Sequence, residues 1–379
     1  MEFSNIHIVA GLGFALAFVC GVIVNKTNFC TMGAVSDWVN MGAKGRFGAW
    51  LLAMGVAVAG AQLLELTGLI DLTQSIYRTT AFGLGGFIIG GLMFGVGMTM
   101  AGGCGQRTLV RVGGGNLKSL VVFIVLGLSA YMTLRGILGV ARLELIEPLS
   151  IDLSEQGIND QGLASTILHW INVEVTHALR WIFAGVVSLV LIGLAFSIKE
   201  LRRNADNLLS GFVVGGVIVA AWVITGIIGY DDFDPVPLEG LSFVAPIGNS
   251  ISYLMTYTGA TITFAIAVVF GLIVGSFVYA LVSRTFRIET FTECTDMINH
   301  LVGGALMGIG GVLSLGCTIG QGVTGISTLA LGSFVATACI MLGSAIAMRV
   351  QYHHMDERGK MGSLMAGIAD IVIPWRKLE

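Results

Sequence analysis

Charge is what this chain has least of. Only 11% of its 379 residues are Asp, Glu, Lys or Arg, against 55% hydrophobic, and the mean hydropathy is +0.87. That scarcity excludes a soluble globular domain and leaves nucleic acid without a basic surface beyond the usual loop residues. Proline is nearly missing as well, and five in the whole chain argue against linkers. The six cysteines (Cys20, Cys30, Cys104, Cys294, Cys317, Cys339) contain no CxxC pair and no zinc-type spacing, so neither a metal knot nor a disulfide framework is indicated. No ATPase motif and no sodium site is evident, and no cofactor is called for. Residues Met1 to Asn5 carry no basic segment, so the first apolar run is expected to be retained.

What is plentiful is glycine, 54 residues of it, and long apolar runs. Nine runs approach the roughly 20 residues that cross a bilayer. They lie near 6–24, 48–70, 80–102, 117–139, 181–198, 208–228, 261–282, 298–315 and 331–350. Two polar interruptions, 25–47 and 229–260, have centres too apolar for ordinary loops and predict re-entrant segments. An acidic connector over 141–176 carries Glu144, Glu147, Asp152, Glu155, Asp160 and Glu174. The fold class is therefore an all-α polytopic membrane protein, with about nine transmembrane helices and short re-entrant helices and loops.

The chain also repeats itself. GGLMFGVGMTMAGGC returns as GGALMGIGGVLSLGC after a shift of 213 positions. Gly90, Gly91, Gly95, Gly97, Gly103 and Cys104 fall on Gly303, Gly304, Gly308, Gly310, Gly316 and Cys317. A weaker echo sets Phe29 on Phe243, with Val244 where the first half has Cys30. The expected organisation is a first membrane repeat over 1–140, a connector and joining span over 141–207, a second repeat over 208–350, and a cytoplasmic tail over 351–379. A single joining span makes the repeats inverted, an arrangement whose sites lie at the repeat interface.

Lys and Arg set the orientation. Sixteen fall on the side of 25–47 and only Arg78, Arg135, Arg142 and Arg180 on the other. The C-terminus is expected in the cytoplasm and the N-terminus outside. The Cys30 and Cys104 segments would then enter from the cytoplasm, the Cys317 loop from outside.

Non-helical backbone at membrane depth is tolerated only where protein or a wet cavity satisfies its amides. Helices restarting after such loops aim free N–H groups and positive dipole ends at the site, which favours an anion. A thiol adds a polarizable group that gives or takes weak hydrogen bonds. Together they suit a sulfur-containing anion. The residues expected on the path are Asn28, Thr31, Gly103, Gly105, Gln106, Arg107, Asn249, Gly316, Thr318 and Gln321, with the repeated Cys104 and Cys317.

NFCTMGAVSDWVNMG, GCGQRTLVRVGGGNLKSL, LSFVAP and LGCTIGQG closely resemble the YeeE/YedE family of bacterial thiosulfate uptake proteins, in both halves and in the right order. The resemblance implies an hourglass-like inner-membrane transporter supplying thiosulfate for cysteine synthesis, and not an enzyme. It also implies that Cys30, Cys104 and Cys317 pass the ion along a central path. A small TusA-like sulfur carrier often accompanies the family and is an expected cytoplasmic partner; no such domain is fused here.

Plainer explanations stand beside these. Cys20 and Cys339 read as packing residues, Cys294 as part of a polar turn, Arg111 as a positive-inside anchor, and His353 and His354 as a solvated tail. Three thiols and 16 methionines leave a soft-metal transporter open, although the methionines form no MxxM pairs around the cysteines. A membrane sulfurtransferase is the third class, weakened because no histidine lies in the cysteine motifs. Other sulfur or selenium species remain alternative cargoes.

Overall fold

The computed structural model describes residues 5–158, 160–171, 173, 176–231 and 236–355. Residues 1–4, Glu174, the acidic pair at 232 and 234, and the tail from 356 onwards, with Arg358, Lys360, Arg376 and Lys377, lie outside the described residues. The helices, in order, are α1 (Asn5–Thr27), α2 (Thr31–Ser36), α3 (Gly45–Leu66), α4 (Gly91–Met100), α5 (Gly105–Gly113), α6 (Leu117–Arg135) and α7 (Ile137–Ala141). They continue with α8 (Leu163–Trp170), α9 (His177–Ser197), α10 (Lys199–Arg203), α11 (Ala205–Val223), α12 (Val244–Met255), α13 (Phe264–Val282), α14 (Cys294–Leu313) and α15 (Leu331–Met355). Among the described residues nine helical stretches are long and apolar enough to cross a membrane. They coincide with the nine apolar runs, and the protein is an all-α polytopic membrane protein. The only strands described are β1 (Ala81–Phe82) and β2 (Ile151–Asp152), an antiparallel pair that ties the connector to the start of the third span.

Packing between the halves is reciprocal. α1 lies along α13 while α3 lies along α11; α4 lies along α15 while α6 lies along α14. Exchanging each first-half helix for its second-half equivalent turns every one of these contacts into another of the set. The repeated glycines also bring α4 directly against α14. A Cβ on Gly90 would stand 2.7 Å from Gly310 O, and one on Gly97 would stand 2.7 Å from Gly303 O. Numbering rises along α4 as it falls along α14, so the two helices before the cysteine loops run antiparallel. Each glycine touches the repeat equivalent of its partner's neighbour, as a two-fold axis between the helices demands. Backbone approach this close is the usual device where lipid supplies no hydrophobic drive between helices.

That clearance makes a prediction. Gly97→Val sets three carbons against backbone that cannot move without parting the helices, and overpacking of this kind costs about 1–3 kcal/mol. Gly193 on α9 has nothing within 4 Å of its would-be Cβ. Thermal unfolding in detergent should show a clear drop in midpoint for Gly97→Val and none for Gly193→Val. Equal midpoints would mean that the crossing tolerates separation.

His353 departs from the expected solvated tail. It is buried near the end of α15, with its ring edge-on to Tyr352 at 5.7 Å, and only His354 is exposed. The helix simply continues past the predicted end of the ninth span, so alternate side chains turn inward.

Candidate functional site

Each of the three loops puts a cysteine at the start of a helical turn. Cys30 caps α2, and its Sγ accepts the Gly33 N–H at 3.5 Å. Cys104 caps α5 in an extended conformation, and its carbonyl accepts the Thr108 N–H at 2.9 Å. Cys317 precedes the turn Gly320–Gly325, and its Sγ accepts the Gly320 N–H at 3.4 Å. Two residues before each cysteine the backbone is left-handed: φ is 54° at Asn28, 68° at Gly102 and 57° at Leu315. Glycine and asparagine adopt this readily, whereas for Leu315 it costs on the order of 1–2 kcal/mol. The same reversal therefore delivers all three thiols to helix N-termini, where backbone donors are free.

The loops converge. The Cys104 side chain stands against the Cys30 thiol on one side and against Thr318, the residue after Cys317, on the other. All three cysteines are buried, Cys104 and Cys317 completely. Where the first repeat offers Cys30 to Cys104, the second offers the backbone of Phe243 to Cys317. Phe243 is the residue that caps α12, as Cys30 caps α2. The echo between the halves is thus one residue out of register here: the structural counterpart of Cys30 is Phe243, not Val244.

Of the other residues singled out in the sequence, Thr31, Gln106, Thr318 and Gln321 are 1% exposed. Among the described residues Thr31 Oγ1, Gln106 Oε1, Gln321 Oε1 and one Arg107 guanidinium nitrogen are buried without a hydrogen-bond partner. Buried polar atoms are paired as a rule, so these orphans leave hydrogen-bonding capacity unused beside the three thiols. Gly103 and Gly105 flank the Cys104 thiol. A Cβ on Gly103 would press on the Arg107 side chain at 3.1 Å, and one on Gly105 would meet Phe243 at 3.6 Å. Asn28 is exposed and accepts from Arg107 Nη2 at 2.8 Å. Asn249 and Gly316 line a cavity on the Cys317 side, and a Cβ on Gly316 would meet Gln321 at 3.2 Å.

Two cavities open at opposite ends of the cysteine row. One, of about 280 Å³, is lined by Tyr77, Glu239, Ser242, Asn249 and Gly316, with Leu315 at its rim. The other, of about 230 Å³, is lined by Asn25, Arg107, Arg111, Asn116, Arg287 and Glu289. Arg107 belongs to the second cavity and also to the electrostatic surroundings of Cys30 and Cys104. Arg111 is more than an anchor, since its Nη1 donates to Gly102 O at 2.9 Å and clamps the reversal before Cys104.

Sequence reading missed Tyr77, Glu239 and Ser242, and also the ion pair of Arg46 with Asp37, two-pronged at 2.5 and 2.7 Å, on the helical stretch that follows Cys30. Asp37 and Arg46 are nine positions apart, with a turn and a glycine between them, so no helical spacing advertises the pair. Glu239 carried a signal, being an acid inside a polar interruption next to the LSFVAP motif. Among the described residues no three His, Cys, Asp or Glu side chains gather as a metal would require.

Known proteins resemble the chain in sequence over most of its length. The chain is 24% identical over 376 residues to the thiosulfate transporter TsuA of Escherichia coli (strain K12), covering 93% of this chain and 98% of that protein. It is 26% identical over 339 residues to the thiosulfate transporter TsuA of Spirochaeta thermophila, covering 88% and 96%. Residues 26–346, which hold every cysteine loop, match the family described as sulphur transport. This protein belongs to that sulphur transport family.

Proposed function

We propose that this protein takes up thiosulfate across the bacterial inner membrane, for cysteine biosynthesis, as a transporter and not as an enzyme. The observation that carries the reading is the row of three thiols at the starts of helical turns, with orphaned polar atoms beside them, between two cavities. Similarity to proteins named thiosulfate transporters supports the choice of ion. The count of Lys and Arg supports a cytoplasmic C-terminus and a periplasmic N-terminus, with the Glu239 cavity outside and the Arg107 cavity inside.

The geometry suits a passage in stages. Thiosulfate has a soft terminal sulfur and three hard sulfonate oxygens. Free N–H groups at the starts of α2 and α5 take the oxygens, while a thiol meets the terminal sulfur. In order from outside, Cys317, Cys104 and Cys30 hand the ion on by S–H···S contacts, and Arg107 draws it towards the inner cavity. No contact is strong enough to trap it, which passage through a pore requires. On the inner side Arg107, Arg111 and Arg287 would present the ion to a TusA-like sulfur carrier.

Radiolabelled thiosulfate should accumulate in liposomes containing the purified protein and not in protein-free liposomes. The uptake should be saturable and suppressed by unlabelled thiosulfate. No difference between the two preparations, or uptake of copper(I) in place of the anion, would overturn the assignment.

A further inference from the structure

The outer cavity presents an anion with a carboxyl group. Glu239 lies in the extended strap that leads into α12, and the strap is pinned by side chains on two other elements. Thr225 Oγ1, at the end of the sixth span, donates to Glu239 O at 2.9 Å, and Thr324 Oγ1 donates to Leu241 O at 2.7 Å. These bonds pin the backbone of the strap, with Glu239 among the residues that line the cavity, two positions before Leu241 and three before Ser242. Among the described residues no Lys, Arg or His pairs with it. Among the described residues the lining holds no cation. Its other titratable member is Tyr77, which senses both Glu239 and Cys317. A dianion cannot settle in a low-dielectric cavity beside an unpaired carboxylate, because like charges so placed repel strongly.

We propose that Glu239 is the residue that admits the anion, and that it does so as the neutral acid. This rests on the transport reading. Protonated, its O–H donates to a sulfonate oxygen of thiosulfate in the outer cavity; ionised, it closes that cavity to the ion. The proton comes from the outside solution and stays on the carboxyl while the anion is bound there. Each admission is therefore linked to one proton on Glu239, although nothing in the geometry obliges that proton to travel further.

Burial supports the chemistry. The strap lies outside the spans, and desolvation pushes the Glu239 carboxyl up to about 7, so it changes state near neutral pH. Tyr77 is pushed up by its own burial and stays neutral throughout that range. The remaining titratable neighbour is Cys317, which a substitution at Glu239 leaves in place.

The test measures thiosulfate affinity, by thermal shift on detergent-solubilised protein, and initial uptake into liposomes, each across neutral pH. With a carboxyl near 7, the protonated fraction falls about tenfold from pH 6 to pH 8, and wild-type affinity and uptake should fall with it. Glu239→Gln keeps a neutral donor and should bind within about twofold of the pH 6 wild type at both values, because the carboxyl whose ionisation sets the fall is gone. Glu239→Asp, the check against a misfolded glutamine variant, should keep the fall. A wild-type protein indifferent to pH, or a glutamine variant that falls as steeply as wild type, would overturn the proposal and point to Cys317 or another group. Binding that follows the pH without any uptake would sink transport and leave Glu239 its role. Uptake equal at both pH values would do the reverse.

Discussion

Cys104→Ala and Cys104→Ser should both reduce thiosulfate uptake to background, while Cys20→Ala and Cys339→Ala retain it. Cys104 is the only one of the three loop cysteines in contact with both flanking loops, touching Cys30 and Thr318. Removing its sulfur interrupts the row in the middle, where no neighbouring thiol can substitute. A hydrogen bond to a charged partner is worth about 1.5–3 kcal/mol, or a ten- to hundredfold change in a rate limited by that contact. A relay with no second route should lose more than this. Serine restores a hydroxyl, but oxygen is smaller, harder and a stronger hydrogen-bonder, so it holds the sulfonate end and does not pass the soft sulfur on.

Packing damage has to be separated from lost chemistry. Cys→Ala at a buried site removes one heavy atom and should cost about 1 kcal/mol, as other small deletions do. Cys20 is buried as completely on α1, away from the loops, so Cys20→Ala carries the same packing cost with no thiol lost from the row. The measurement is growth on thiosulfate as sole sulfur source in a strain without other uptake systems, with membrane levels followed by blot. Normal growth of a well-expressed Cys104→Ala strain would make the thiol a packing residue.

Which features could be read from the chain depends on how local their cause is. Nine spans were legible because hydropathy acts residue by residue over a window as long as a bilayer is thick. The antiparallel crossing of α4 and α14 was legible because duplicated glycines are a sequence trace of a spatial symmetry, and the odd number of spans between them fixes direction. Cys30, Cys104 and Cys317 stood out because a reversal followed by a helix leaves a local signature of glycine and polar residues. Tyr77 and Glu239 did not, since they meet across 162 positions in a cavity that exists only after α12 is seated. The register of the second repeat was misread at Val244 for a related reason. What the two halves share there is a backbone role, capping a short helix, which Cys and Phe fill with side chains that have nothing in common.

The acidic connector gave no hint of its most consequential residue pair. It read only as an acidic connector, yet Asp160 is buried against Arg78, and Arg78 Nη1 also reaches Glu65 at 3.1 Å and Thr328 O at 3.2 Å. One guanidinium thus joins the end of α3, the loop after it, the connector and the turn before α15. Its side chain is 5% exposed, and those of Glu65 and Asp160 are 10% and 8%. Desolvation would raise the Asp160 carboxyl, but the charge of Arg78 and its hydrogen bond more than offset this and hold it below the usual range. Arg78→Ala leaves two buried carboxylates without a cation, a loss of about 3–5 kcal/mol for a broken buried pair. Thermal unfolding of the variant should therefore begin far below wild type. Arg78→Ala with Glu65→Gln and Asp160→Asn should recover much of the difference, because neutral amides need no counter-ion. A depressed carboxyl contributes stability that is complete above its unfolded value and is lost as pH falls through the folded one. Wild type should accordingly lose stability on acidification below the ordinary aspartate range, and the triple variant should lose less. A Tm for Arg78→Ala equal to wild type, or a triple variant no better than the single one, would show that the cluster is solvated enough to need no partner.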